Sequence, residues 1–170
     1  VSIGGVTVGG SGKTPLSSAI GAFFESEGHS TAILTRGYED ELLLHARRLP
    51  NAFVWGHPDR LGLARRAAAS GATVAVLDDG FQHRHLMRDV DILTIDRDAL
   101  RRTNGWCLPA GPFRERWLSA VGRADIVIIT GREPWDKDIA DFDRDLRGRI
   151  IESTPDKPTA SITFETDAPI

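Results

Sequence analysis

Thr7-Val8-Gly9-Gly10-Ser11-Gly12-Lys13-Thr14 is the stretch on which the fold turns. Before it lies an apolar run, Val1 to Val8, that reads as a strand. After it, Lys13 to Glu27 carries the spacing of an amphipathic helix. Glycines between a strand and a helix let successive backbone N–H groups face one anion, and the helix N-terminus adds its dipole. Lys13 is placed to reach the β- and γ-phosphates of a nucleotide, and the Thr14 hydroxyl to hold Mg²⁺. Gly9, Gly10, Ser11, Gly12, Lys13 and Thr14 are therefore the candidate nucleotide-binding residues. The strict phosphate-loop pattern has glycine where this chain has Thr7.

Outward from that loop, β-branched apolar runs alternate with amphipathic stretches. Strands are expected at Val1 to Val8, Thr31 to Thr35, Ala52 to Trp55, Thr73 to Leu77, Asp91 to Ile95, Ile126 to Thr130 and Ala160 to Phe164. Helices are expected at Lys13 to Glu27, Glu41 to Leu49, Asp59 to Ser70, Arg116 to Val121 and Asp138 to Arg147. The alternation predicts an α/β fold, a doubly wound, mostly parallel sheet of the phosphate-loop NTPase type. Arg97 to Glu115, rich in glycine, proline and arginine, reads as one long functional loop. Residues 1–154 are expected to form the nucleotide-binding domain and 155–170, with Pro155, Pro158 and Pro169, a linker or the start of a second domain.

A second element completes the phosphate-loop pattern. Val74-Ala75-Val76-Leu77-Asp78-Asp79 is an apolar strand ending in two acids, the arrangement that holds Mg²⁺ directly or through water beside such a loop.

Composition narrows the classes. With 21 Lys+Arg against 24 Asp+Glu the net charge is −3, which excludes a uniformly basic nucleic-acid coat, and no nucleic-acid partner is expected. At 41% hydrophobic and 26% charged residues the chain should fold. Its one cysteine, Cys107, forms no internal disulfide and fits a reducing compartment. No apolar run approaches the roughly 20 residues that span a bilayer, so membrane contact is expected to be peripheral. Val1 opens inside a strand without a starting methionine, which reads as a piece of a longer chain.

Four motifs in order, Val8-Gly9-Gly10-Ser11-Gly12-Lys13-Thr14-Pro15, Thr35-Arg36-Gly37-Tyr38, Asp78-Asp79-Gly80-Phe81-Gln82-His83-Arg84 and Leu108-Pro109-Ala110-Gly111-Pro112-Phe113-Arg114-Glu115, resemble tetraacyldisaccharide 4′-kinase of lipid A biosynthesis. That family also has a non-glycine at the position of Thr7. The resemblance implies ATP and Mg²⁺ as cofactors, and phosphorylation of the 4′-hydroxyl of an acylated glucosamine disaccharide 1-phosphate at the cytoplasmic face of a bacterial inner membrane. Carried over by position, Lys13 serves phosphate, Thr14, Asp78, Asp79 and Glu115 serve the metal, and Asp40 acts on the acceptor hydroxyl. In the Asp40 segment Glu39 replaces the family's glycine and Leu42 its proline, and a longer family insert after Tyr38 is missing. The family also carries an N-terminal membrane-associating helix and a second α/β half with a Phe-Pro-Asp-His-His segment, so this chain corresponds to the N-terminal nucleotide-binding portion.

Other readings of the same residues remain open. Asp40 also suits the N-terminus of the helix that follows it, where acids complement the dipole. Arg36, His83 and Arg114 are candidate substrate contacts, and His83 could equally satisfy a neighbouring carbonyl; His29, His45, His57 and His85 are assigned to the surface. A GTPase switch or metallochaperone shares the loop and the sheet, but Ile128-Ile129-Thr130-Gly131-Arg132-Glu133 lacks the Asn-Lys-x-Asp guanine signature, which favours ATP. A non-catalytic nucleotide-binding regulatory module is the third reading.

Overall fold

Runs of Val, Ile and Thr become strands here because their alternate side chains have helices to cover them on either side. The structure, a computed structural model, describes residues 1–103, 105–132 and 136–164. The chain divides into two compact units, Val1–Gly4 with Lys13–Val90, and Gly5–Gly12 with Asp91–Ile170.

In the first unit, β1 (Ser2–Gly5), β2 (Thr31–Thr35), β3 (Phe53–Gly56) and β4 (Val74–Asp78) lie in the order β3-β2-β4-β1. All pairings are parallel, with Ala32 opposite Phe53 and Ala75, and Ile3 opposite Asp78. Its helices are α1 (Lys13–Ser26), α2 (Glu39–Arg48) and α3 (Arg60–Ala69). Ala32 and Leu34 of β2 and Leu77 of β4 pack against Leu63 and Ala67 of α3. Ile33, pointing the opposite way, meets α1 at Gly21, where a Cβ would come within 2.9 Å of it and 2.8 Å of Leu49. Helices thus cover both faces, as the doubly wound expectation requires. Asp59 caps α3 by accepting from the Gly62 N–H at 3.0 Å.

The second unit holds β5 (Asp91–Asp96), β6 (Ile126–Gly131) and β7 (Thr159–Thr163) in the order β5-β6-β7, again all parallel. Its helices are α4 (Arg97–Thr103), α5 (Trp117–Arg123) and α6 (Lys137–Ser153). Asp136 caps α6 through the Ile139 N–H at 2.8 Å.

Two expectations change. The first strand ends at Gly5 rather than Val8, because residues 6–8 turn to pair with the Leu108-to-Glu115 stretch: Arg114 N–H donates to the Val6 carbonyl, Thr7 bridges Phe113, and Val8 N–H donates to the Pro112 carbonyl. Arg97 to Glu115 is not irregular throughout. It begins with α4, which the Asp96 carboxylate caps from the Ala99 N–H at 2.8 Å and which buries Leu100. The strand expected at Ala160 to Phe164 is present as β7, whose partner β6 pairs Val127 with Thr159 and Gly131 with Thr163. Glu133 and Pro169 lie outside the described residues.

Candidate functional site

Chain continuity joins two groups of residues at the Gly12–Lys13 peptide. On the second-unit side the loop is held open by geometry only glycine adopts readily, with φ of +110° at Gly9 and +72° at Gly12. Ser11 between them is buried and pinned: its Oγ lies 3.1 Å from Thr94 Oγ1 at the end of β5, and its carbonyl accepts from Thr130 Oγ1 at 3.0 Å at the end of β6. Beside the loop lies a cavity of about 320 Å³ whose walls include Gly10, Gly12, Asp98, Arg102, Arg132 and Phe164. Asp98 organises that wall, taking the Arg97 Nε–H at 3.0 Å and the Arg132 N–H at 2.6 Å.

On the first-unit side α1 begins with Lys13 and Thr14 and runs alongside β4. Thr14, Ser17, Ser18 and Gly21 fall at i, i+3, i+4 and i+7, one stripe of small residues on one helix face. That stripe lets Asp78 approach. The Thr14 side chain hydrogen-bonds Asp78, and the Ser17 hydroxyl donates to Asp78 Oδ1 at 3.1 Å. His45, on α2, places Nε2 3.0 Å from Asp78 Oδ2 and Nδ1 2.9 Å from Ser18 Oγ. Arg60 donates from Nη2 to the Asp78 carbonyl at 3.0 Å. Burial pushes the Asp78 carboxyl up, but the hydrogen bonds from His45, Thr14 and Ser17 and the charge of His45 outweigh it and hold the group below the usual carboxylate range.

Asp79 lies beyond the strand end with φ of +54°, a left-handed conformation that aspartate tolerates better than most residues. Its Oδ1 sits 3.9 Å from Lys13 Nζ. Gly80 then closes the turn, where a Cβ would come within 2.7 Å of Leu77.

Glu41 also feels this surrounding. Burial raises its carboxyl first, and then the negative charges of Asp78, Asp40 and Asp79. Asp40 is exposed in the first turn of α2, a helix that begins at Glu39 with Tyr38 as an N-cap lacking a side-chain bond. His83 is lowered by burial and then by the Arg60 charge, and shares a small cleft with Arg60, His85 and Pro58.

The structure thus brings Lys13 to Asp79 and Thr14 to Asp78, with Asp40 acting electrostatically on the acid between them. In the second unit Glu115 is paired with Arg123 at 2.8 Å. Among the described residues no group of three or more His, Cys, Asp or Glu side chains forms a ready-made metal cage. Arg36 is exposed and adds to the positive field on Arg60 and His83. Arg114 is exposed and uses its backbone to hold the loop at Val6.

The surface assignment of His45 is overturned: it is wholly buried. A buried imidazole is stable only with both nitrogens bonded, and Asp78 and Ser18 supply that. The sequence signal was its position on the buried face of α2, four residues before the buried Leu49. Arg60, Ser17 and Ser18 also went unnoticed; only the i+3 and i+4 offsets of the serines from Thr14 hinted at them.

The family pattern described as tetraacyldisaccharide-1-P 4′-kinase matches residues 1–42 and 39–166. A tetraacyldisaccharide 4′-kinase of Syntrophus aciditrophicus (strain SB) is 39% identical over 156 residues, covering 77% of this chain and 41% of that protein. The chain therefore spans less than half the length of such a relative. Among solved structures, LpxK from Aquifex aeolicus in complex with ATP superposes with a TM-score of 0.67 at 25% identity, over 96% of this chain and 70% of that one. The hydrogenase maturation factor HypB of Archaeoglobus fulgidus shares the fold alone, with a TM-score of 0.60 at 10% identity, over 96% of this chain and 81% of that one.

Proposed function

The chain belongs to the tetraacyldisaccharide-1-P 4′-kinase family, and from that premise we propose that it is the nucleotide-binding part of an ATP-dependent lipid kinase. The acceptor is the 4′-hydroxyl of a tetraacyldisaccharide 1-phosphate. The observation that carries the reading is the pairing at the junction of β4 and α1, Lys13 with Asp79 and Thr14 with Asp78.

Gly9 to Thr14 cradle the nucleotide phosphates through backbone N–H groups, with the Lys13 ammonium on the β- and γ-phosphates. The Thr14 hydroxyl and the carboxylates of Asp78 and Asp79 are hard oxygen donors, the set that suits Mg²⁺. Bound there, Mg²⁺ neutralises charge on the phosphate oxygens. Asp78 has both carboxylate oxygens bonded to protein donors, so it would act mainly by orienting Thr14, and Asp79 would be the carboxylate more available to hold the cation. With Glu115 bound to Arg123, its part in the metal shell is a minor one.

The sugar 4′-oxygen bonds to the γ-phosphorus as the bond from phosphorus to the β,γ-bridging oxygen breaks. The hydroxyl proton passes to the Asp40 carboxylate, and ADP leaves. Arg36 and His83, whose charges act on or beside Arg60, and Arg114 remain the candidate contacts for the anionic groups of the substrate. No helix among the described residues is long and apolar enough to cross a membrane.

The test is transfer of labelled γ-phosphate from MgATP to tetraacyldisaccharide 1-phosphate in detergent micelles, assayed in the protein at its full natural length. Lys13→Ala is expected to lower turnover by about two to four orders of magnitude. Near-normal turnover in that variant, or a clear preference for MgGTP over MgATP, would sink the reading.

A further inference from the structure

A histidine buried to zero exposure in the middle of α2 is not explained by packing. Its neighbours Leu42, Leu43 and Leu44 show that the helix is built from leucine, and a leucine at position 45 would cover α1 without a desolvated polar ring. The ring must therefore be held for what its nitrogens do. Asp78 Oδ2 can only accept, so Nε2 carries the hydrogen and donates to it at 3.0 Å. Nδ1 lies 2.9 Å from the Ser18 hydroxyl, so both ring nitrogens have a partner.

The consequences reach three elements. Ser18 stands one turn after Thr14 on α1, Asp78 ends β4, and His45 stands on α2 five residues after Asp40. At 1.5 Å of rise per residue, Asp40 and His45 are separated by about 7.5 Å along the helix axis. The imidazole is the only side chain of α2 shown bonded to both α1 and β4. With Nε2 on Oδ2 and Ser17 on Oδ1, the Asp78 carboxylate is held from both sides, and the Thr14 hydroxyl meets a fixed partner.

We propose that His45 is a positioning residue of the phosphate-transfer site: a buried strut that fixes the Asp78 carboxylate against Thr14 and clamps the Asp40-bearing helix to the metal-binding edge of β4. The inference rests on the metal role given above to Thr14, Asp78 and Asp79, and concerns a residue outside that set. A strut of this kind acts on metal-dependent nucleotide binding more than on the nucleotide's own contacts with the loop. His45→Leu keeps the volume and removes the donor. His45→Gln presents an amide N–H to Asp78 from the same helix position.

The experiment titrates Mg²⁺ into each protein with ATP, and separately measures ATP affinity in EDTA. For His45→Leu the Mg²⁺ concentration giving half-maximal enhancement should rise about tenfold, the equivalent of one charge-assisted hydrogen bond, with metal-free affinity within about twofold of wild type. His45→Gln should return the Mg²⁺ requirement to within about threefold of wild type, which a purely structural role would not predict. Ser18→Ala, which frees only the Nδ1 end, should shift the requirement in the same direction by a smaller factor, and it carries the test should His45→Leu not fold. An unchanged Mg²⁺ requirement in His45→Leu, or in Ser18→Ala where the leucine variant is unfolded, overturns the strut and leaves the kinase reading standing. Equal impairment of the Leu and Gln variants overturns it as well. Wild-type ATP binding that is indifferent to Mg²⁺ overturns the metal role of the site, and the strut with it.

Discussion

Neutralising Asp78 is the sharpest probe of this site, because two opposite outcomes are physically sensible and the structure chooses between them. Asp78 shares its surroundings with Asp79 and Glu41, so Asp78→Asn could relieve repulsion and stabilise the fold. Against that stand three side-chain donors, His45, Ser17 and Thr14, on a carboxylate that is 2% exposed. Their net result is a carboxyl held below its ordinary range, so the fold favours the ionised form and the amide must destabilise. Each charge-assisted bond exceeds a neutral one by about 1 kcal/mol, and an amide oxygen retains part of the set, so the loss should be about 2–3 kcal/mol. For a chain of this size that is a fall in Tm of roughly 4–12 °C. Asp78→Ala should cost about 4–5 kcal/mol, since it leaves buried donors of His45 and Ser17 unpaired and adds a cavity. Urea unfolding followed by tryptophan fluorescence at pH 7 measures both. The sign of the pH dependence is fixed as well. A depressed folded-state pKa gives stability that is full above the unfolded value and fades as pH falls, so wild type and Asp78→Asn should converge below about pH 4. An Asp78→Asn protein as stable as wild type at pH 7 would refute the reasoning and show that repulsion among the carboxylates dominates.

Two further outcomes follow from the same packing. Gly131→Ala would drive a Cβ into the Arg97 guanidinium, with Nε at 2.8 Å; Arg97 is 1% exposed and held by Asp98, so it cannot retreat, and urea denaturation should show a loss of about 1–3 kcal/mol. Gly122→Ala, with open space around it near the end of α5, serves as the control and should be neutral or stabilising by up to about 1 kcal/mol. Glu41→Gln should raise the urea midpoint near neutral pH, because burial and the charges of Asp78, Asp40 and Asp79 penalise the ionised Glu41. Its raised pKa means that wild type loses stability as pH climbs above about 4.5, so the advantage of the glutamine should vanish below that value in midpoints measured across the acid range.

What could be read from the chain was whatever depends on near neighbours. Thr31 to Thr35 appears unchanged as β2, because a β-branched run between turn signals has one stable use. The loop from Gly9 to Thr14 and the acids closing β4 were equally visible, being local patterns with a physical purpose. Errors arise where a distant partner decides. Arg97 to Thr103 carries no apolar periodicity, yet it coils because Asp96 caps it and because Arg97 is buried against Gly131, 34 residues away. The helix expected at Asp138 to Arg147 runs on through Gly148, because Ile150 beyond it is buried and draws it to Ser153. His45 belongs with these, since its proper partner, Asp78, lies 33 residues further along the chain.

That same separation accounts for why two adjacent aspartates, indistinguishable as a dipeptide, acquire different work. Asp78 is the last residue of β4, where alternation turns its side chain into the protein and toward the serine stripe of α1. Asp79 leaves the strand through a left-handed turn that puts it on the other side of the chain, within 3.9 Å of the Lys13 ammonium. One carboxylate is therefore surrounded by hydrogen-bond donors that hold it still, and the other faces the Lys13 ammonium. A site that binds and releases a charged nucleotide, as proposed for this one, would use both kinds, a fixed anion to align the Thr14 hydroxyl and a second anion that can trade one positive partner for another. The order cannot be reversed, because a carboxylate immobilised by buried donors has no partner to exchange.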